Sequence, residues 1–198
     1  AGATHSAIED LAVMRAMPNM IVMDPADPQE VVACVRLAME IKGPVYVRTV
    51  RCPVPVIFPE DHKVEIGKAA KLHEGKDIAI ISCGMMTPRA LQAAEVLERL
   101  GITARVLHMA TIKPIDIEAI CEAAASIGKI ITVENHSIIG GLGGAVSEVT
   151  AEHAPCRIKR LGFPDVFLES GDDEVYFHRF KLDVDGIVST AQSFVEGG

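Results

Sequence analysis

Short apolar runs rich in valine and isoleucine alternate with helix-periodic stretches along almost all of this 198-residue chain, and that order leaves few folds open. A strand, a helix and a second parallel strand require a crossover; repeated crossovers build a mostly parallel sheet with helices on both faces. The first helix signal follows Thr4 and His5. Ser6 and Glu9 stand at capping-box spacing, and Ile8, Leu11, Ala12 and Met14 recur at helical intervals until Pro18. The run MIVMDP reads as a short buried strand. Asp27, Pro28 and Glu30 open a second helix as N-cap, first-turn proline and an acid three residues beyond the cap. Gly43-Pro44 closes that helix ahead of the β-branched strand VYVRTV.

The stretch CPVPVIFPED, Cys52 to Asp61, interrupts the pattern. Its prolines cannot donate to a ladder and favour extended backbone, so it reads as a linker. Beyond it DIAIIS, ITARVLHM, KIITVEN and CRIKRLGF are strands. Helices open at Thr87-Pro88, at Asp116, at the Gly140–Gly144 cluster and at Asp183. This second segment suffices for a complete small domain. Two helices and two strands in the first do not suffice to cover a parallel sheet on both faces. The expectation is therefore an α/β chain: a mostly parallel, three-layer domain at 62–198, preceded by a linker at 53–61 and the tail of a truncated α/β domain at 1–52.

Charge narrows the function. With 27 acidic and 19 basic residues the formal net charge is −8, and the basic residues are scattered. A nucleic-acid surface needs a clustered cationic face, so none is expected; RIKR, Arg157 to Arg160, is expected to face solvent on a sheet edge. No apolar run reaches the roughly 20 residues of a membrane span, and no basic-plus-apolar leader is visible. Cys34, Cys52, Cys83, Cys121 and Cys156 are odd in number and widely spaced. They read as small core hydrophobes in a reducing, cytoplasmic compartment rather than as zinc ligands or a disulfide framework.

Few residues carry a chemical signal of their own. The glycine cluster IIGGLGG lies between a strand and a helix, where phosphate cradles sit, but it lacks both G-x-G-x-x-G and Walker spacing. It is read as a tight turn with close helix–strand approach. Glu134, Asn135 and His136 end a strand, where a turn or interface role is the ordinary reading. His62, His73, His108, His153 and His178 are read as structural or surface histidines. His5 is set apart by its place on a loop just before a capped helix. Arg48 and Arg51, at a buried strand's exit, are unusual without a partner and suit a bidentate phosphate or carboxylate.

The segments GATHSAIEDLAVMRAMPNMIVMDPADPQEV, GPVYVRTVR, DIAIISCGMMTPRALQAAEVLERLGI and IITVENHSIIGGLGGAVSEV resemble, in order, the C-terminal part of transketolases, most closely the separate C-terminal subunit of split transketolases. The resemblance implies a thiamine-diphosphate and Mg2+ enzyme that moves a two-carbon ketol unit between sugar phosphates. Residues 1–52 would then end a pyrimidine-binding domain and 62–198 form the C-terminal domain. The family's Asp-Gly-x-Thr-His motif falls on Ala1 to His5, so His5 matches the histidine that contacts the cofactor-bound intermediate and a donor hydroxyl. Arg51 matches the arginine that binds the substrate phosphate, with Arg48 as a second candidate on the other strand face. At the motif's aspartate, which reads sugar stereochemistry, this chain has Ala1.

The family's aminopyrimidine-activating glutamate, stacking aromatic and metal motif lie upstream of the matching residues. The implied partner is therefore an N-terminal transketolase subunit, in a homodimeric assembly. The chain alone is expected to bind neither cofactor nor metal and to be inactive. Three other readings are compatible with the fold: a non-catalytic assembly module, the C-terminal region of a 1-deoxyxylulose-5-phosphate synthase or 2-oxo acid dehydrogenase β subunit, and a nucleotide binder. GATHSAIED followed by PNM favours transketolase among the enzymes.

Overall fold

The computed structural model describes residues 6–197; Ala1 to His5, with the motif match they carry, lie outside the described residues. The order is α1 (Asp10–Ala16), β1 (Ile21–Met23), α2 (Pro28–Glu40), β2 (Val45–Val47), β3 (Ala70–His73), β4 (Ile78–Ser82), α3 (Met86–Arg99), β5 (Ala104–His108), β6 (Thr111–Lys113), α4 (Ile117–Ser126), β7 (Lys129–Ser137), α5 (Leu142–His153), β8 (Arg157–Phe163), α6 (Asp173–Arg179) and α7 (Val184–Glu196). Asp27, Asp116 and Asp183 cap their helices as expected, each accepting a backbone N–H three residues on. None of the described helices is long and apolar enough to cross a membrane.

The larger sheet runs β3-β5-β4-β7-β8, parallel throughout except for the antiparallel edge strand β3. Its central strand, β4, is buried at every residue, and strand alternation divides its side chains between two cores. Ile78 and Ile80 pack with Ala90, Ala93 and Leu97 of α3, Phe177 of α6 and Ile187 of α7. Ala79 and Ile81 pack on the opposite face with Ile120 of α4 and Leu142 and Val146 of α5. The three-layer arrangement follows from that alternation. β8 is the other edge, and Arg157, Lys159 and Arg160 are exposed on it, as their charge predicts.

A smaller sheet, β2-β1-β6, joins the two segments: β1 pairs parallel with β2 and antiparallel with β6, a strand from beyond the proline-rich stretch. The first segment is thus built onto the second. Ile8 enters the core beneath α3 and α7, while Leu11 and Val22 enter the core beneath α4 and α5. The proline-rich stretch is pinned rather than loose, because the second carboxylate oxygen of Asp27 accepts the N–H groups of Ile57 (2.7 Å) and Phe58 (2.8 Å).

Two expected caps are corrected. α1 starts at Asp10 with Glu9 as its N-cap residue, and the Glu9 carboxylate accepts the Ile8 N–H at 2.8 Å instead of closing a box with Ser6. α3 starts at Met86 without a side-chain cap, because the Thr87 hydroxyl is drawn inward to Ser82 (3.0 Å) and His108 (2.7 Å).

Candidate functional site

Open α/β sheets place ligands beyond the carboxyl ends of their strands. In the small sheet those ends meet a cleft of about 450 Å3. One wall is the loop after β1 and the first turn of α2, from Pro25 to Pro28; the other is the segment after β2, including Thr49, Val50 and Cys52. Arg51 is exposed between two residues that line this cleft, and among the described residues it has no ion-pair partner.

Arg48, three residues earlier, behaves oppositely: it is 7% exposed. Its Nε donates to Asp10 Oδ2 at 2.9 Å and its Nη2 to the Ala7 carbonyl at 3.1 Å, while Asp24 Oδ2 lies 3.8 Å from Nη1. The Tyr46 hydroxyl donates to the same Asp10 oxygen at 2.8 Å. The partner that a buried guanidinium demands is therefore internal, two carboxylates drawn from α1 and the end of β1. Of the two arginines, Arg48 is buried in an internal cluster and Arg51 is exposed beside the cleft.

The thiol and the phenol near Arg48 are kept in their protonated forms at neutral pH. Burial pushes the Asp24 carboxyl upward, and the Arg48 charge and the Cys83 thiol only partly oppose it. Burial likewise drives Cys83 well above the ordinary thiol range and, with the Asp10 carboxylate beside it, raises Tyr46 to about 12. Gly84 is required here: its φ is +53°, and a Cβ would fall within 2.7 Å of the Asp24 carboxylate.

At the end of β7, Glu134 accepts the N–H groups of Leu142 (2.6 Å) and Gly143 (2.9 Å) and so caps α5. Burial pushes its carboxyl up to about 7, against the pull of those two N–H groups. His136 is 0% exposed; its Nδ1 donates to the Ser137 carbonyl (2.7 Å) and its Nε2 accepts the Ala12 N–H (3.3 Å). That pairing requires the neutral ring, and burial lowers its pKa. The strand end is thus an interface feature, as read, joining β7 to α1. A third buried chain runs from Ser82 through Thr87 and His108 to Glu30, which His108 Nε2 meets at 2.7 Å and His62 at 3.2 Å.

These residues do not fit the groups the family resemblance implies. The α5 N–H groups that would cradle a diphosphate are occupied by Glu134, and no three His, Cys, Asp or Glu side chains among the described residues converge on a metal position. Among the described residues, Arg51 is an exposed cation beside a largely apolar cleft.

Comparison with known proteins agrees with the sequence. Residues 67–187 match the family Transketolase, C-terminal domain, and residues 1–55 match Transketolase, pyrimidine binding domain. The putative transketolase C-terminal section of Methanocaldococcus jannaschii is 44% identical over 94% of this chain and 59% of its own length. One of the subunits of the apulose-4-phosphate transketolase of Phocaeicola vulgatus is 41% identical over 98% of this chain and 62% of its own length. Among solved structures, a split gene transketolase described as an inactive beta4 tetramer superposes with a TM-score of 0.91 at 45% identity, covering 98% of this chain and 63% of that one. The chain spans 58–62% of the length of the curated transketolase relatives it matches. With both of its segments matched in order and the fold shared, the chain belongs to the transketolase family, as a C-terminal domain preceded by a pyrimidine-domain portion.

Proposed function

We propose that this chain acts as the C-terminal subunit or portion of a thiamine-diphosphate-dependent transketolase, transferring a two-carbon ketol unit from a ketose phosphate to an aldose phosphate. Residues 1–52 serve as the end of the pyrimidine-binding domain, 53–61 as the connection and 62–198 as the C-terminal domain. The cofactor, with Mg2+, is held largely by an N-terminal partner polypeptide, in a homodimeric assembly of the pair. His5 contacts the donor's hydroxyl, and its imidazole can hold or move a proton there at neutral pH. Arg51 binds the phosphate; a solvent-facing guanidinium can meet it with two parallel N–H bonds.

The observation that carries this reading is the pairing of an exposed arginine with a cleft at the exits of β1 and β2. The test is to assemble the chain with an N-terminal transketolase subunit and measure ketol transfer between sugar phosphates. Arg51→Ala should raise KM for a phosphorylated substrate by about 10- to 100-fold, the value of a charge-assisted contact. No transfer with any sugar phosphate would overturn the reading, and product from pyruvate instead would redirect it to a 1-deoxyxylulose-5-phosphate synthase. The chain alone should show no tight thiamine-diphosphate binding by calorimetry, and micromolar affinity would refute that part.

A further inference from the structure

We infer that Arg48 is a positioning residue, not a phosphate ligand: its buried guanidinium brackets the loop that follows His5 to the strand that leads to Arg51, fixing the two reactive contacts relative to each other. The inference rests on the functional reading of His5 and Arg51 given above.

The bracket is visible in how the stretch after His5 is held. Ala7, two residues on, gives its carbonyl to Arg48 Nη2 at 3.1 Å. Ile8 gives its carbonyl to the Ser137 N–H at 2.7 Å and buries its side chain to 7% exposure. Asp10, at the start of α1, receives both Arg48 Nε (2.9 Å) and the Tyr46 hydroxyl (2.8 Å). Ala12 is tied to His136 at 3.3 Å. The far end of α1 is held by Lys113, whose Nζ donates to the carbonyls of Arg15 (2.8 Å) and Met17 (2.7 Å). Each of these anchors holds α1 or its approach; Arg48, with Tyr46 two residues before it on β2, also leads into the segment carrying Arg51. Its own N–H donates to the Met23 carbonyl at 2.9 Å, which fixes where the chain leaves β2.

A guanidinium suits this task because its fork bonds two acceptors in different directions while keeping its charge. A lysine could reach Asp10 or Ala7 but not both with defined geometry. Misplacing a reacting group by about 1 Å costs on the order of 100-fold in rate, so loosening the bracket should appear in kcat.

The experiment uses the enzyme assembled with its N-terminal partner and two acceptor aldehydes, one phosphorylated and one without phosphate. Arg48→Met should lower kcat by about 10- to 100-fold with both acceptors and change KM by less than about 3-fold. Arg51→Ala should instead act mainly on KM, raising it about 10- to 100-fold with the phosphorylated acceptor and by less with the other. Arg48→Lys should recover part of the lost kcat. Arg48→Met strands the buried carboxylate of Asp24 and the half-buried one of Asp10 and can fail to fold, so Tyr46→Phe provides the second measurement: it deletes one bond to Asp10 and should lower kcat about 2- to 5-fold at unchanged KM. The inference is overturned if the Arg48→Met defect vanishes with the unphosphorylated acceptor, or if Tyr46→Phe and Arg48→Lys both retain wild-type kcat. An inactive wild-type assembly, or a His5→Ala variant with full activity, would instead sink the functional reading beneath it.

Discussion

Two glycines three positions apart in the same turn should respond to alanine with opposite sign. Gly141 precedes α5, and a Cβ built there would overlap Glu134 Oε2 and stand 2.5 Å from His136 Nδ1. Neither neighbour can yield without loss. Glu134 holds the N–H groups of Leu142 and Gly143, and His136 is fixed between Ser137 and Ala12. Displacing the carboxylate forfeits two charge-assisted hydrogen bonds, about 1.5–3 kcal/mol each, and forcing a methyl into a packed site adds about 1–3 kcal/mol. Part returns as Glu134, whose carboxyl burial pushes up to about 7, is rehydrated. The net expected for Gly141→Ala is a destabilisation of about 3 kcal/mol. Gly144 lies inside the helix, and its Cβ would meet only Arg15 Nη1 at 3.5 Å and Glu148 Oε1 at 3.9 Å. Gly144→Ala should therefore gain about 0.5–1 kcal/mol from helix propensity alone. Urea unfolding at pH 7.5 reads both; with a slope of about 2 kcal/mol/M the midpoints should move about 1.5 M down and 0.3 M up. A Gly141→Ala midpoint within 0.3 M of wild type would refute the claim that this turn is glycine because a buried carboxylate occupies it.

Glu134 also sets a pH dependence. Its folded pKa is raised, so its contribution is most favourable below the unfolded value near 4.5 and is lost as pH rises through about 7; the urea midpoint of Glu134→Gln should slope less than wild type across that window. Glu30 has the opposite sign: burial pushes it up, but the charge and hydrogen bond of His108, with the bonds from Ala26 and His62, outweigh burial and lower it overall. Its stabilisation is present above the unfolded value near 4.5 and fades as pH falls further, and Glu30→Gln should flatten the acid limb of a melting-temperature profile. Asp27→Ala removes a helix cap and both ties to Ile57 and Phe58, so hydrogen exchange at those two amides should rise at least 10-fold, and unchanged protection would count against the pinned connection. Asp183→Ala should cost about 1 kcal/mol by loss of the bond to the Gly186 N–H, measured by urea unfolding.

Much of the fold was legible because it is written in short-range pattern. The β-branched runs of β4 and β7, the short apolar stretches of β5 and β8 and the aspartate caps of α2, α4 and α7 are local signals, and local physics decides them. The exceptions have tertiary causes. Ala70–His73 and Thr111–Lys113 are short and only partly apolar, and each becomes a strand because a neighbouring edge is available: β5 for β3, and β1 for β6. Residues 173–179 form α6 with Tyr176 and Phe177 filling the core, behind an Asp172 cap that the loop-like GDDE run obscured. The Ser6 box fails because Ile8 is drawn into the core and its carbonyl taken by Ser137.

The site was legible to a lesser degree, and the reason is separation along the chain. Arg48 and Arg51 stood out as charges at a strand exit, yet only the folded chain joins the first to Asp10, 38 residues away, and to Asp24. His108 looked ordinary in sequence and is in fact 78 residues from the Glu30 that it meets. No spacing rule connects either pair, and the second reaches across the whole proline-rich stretch. The same separation shows why polar groups collect at this seam. An apolar seam would hold β1, α1 and α2 against the larger sheet but tolerate sliding, whereas Glu30–His108, Ala12–His136, Ile8–Ser137 and Gly84–Asp24 are each satisfied in one placement only. Buried polar pairs contribute little net stability over apolar ones, so their value here is registry. The cleft between the β1 and β2 exits keeps its shape because sliding by even one residue would strand several buried polar groups together.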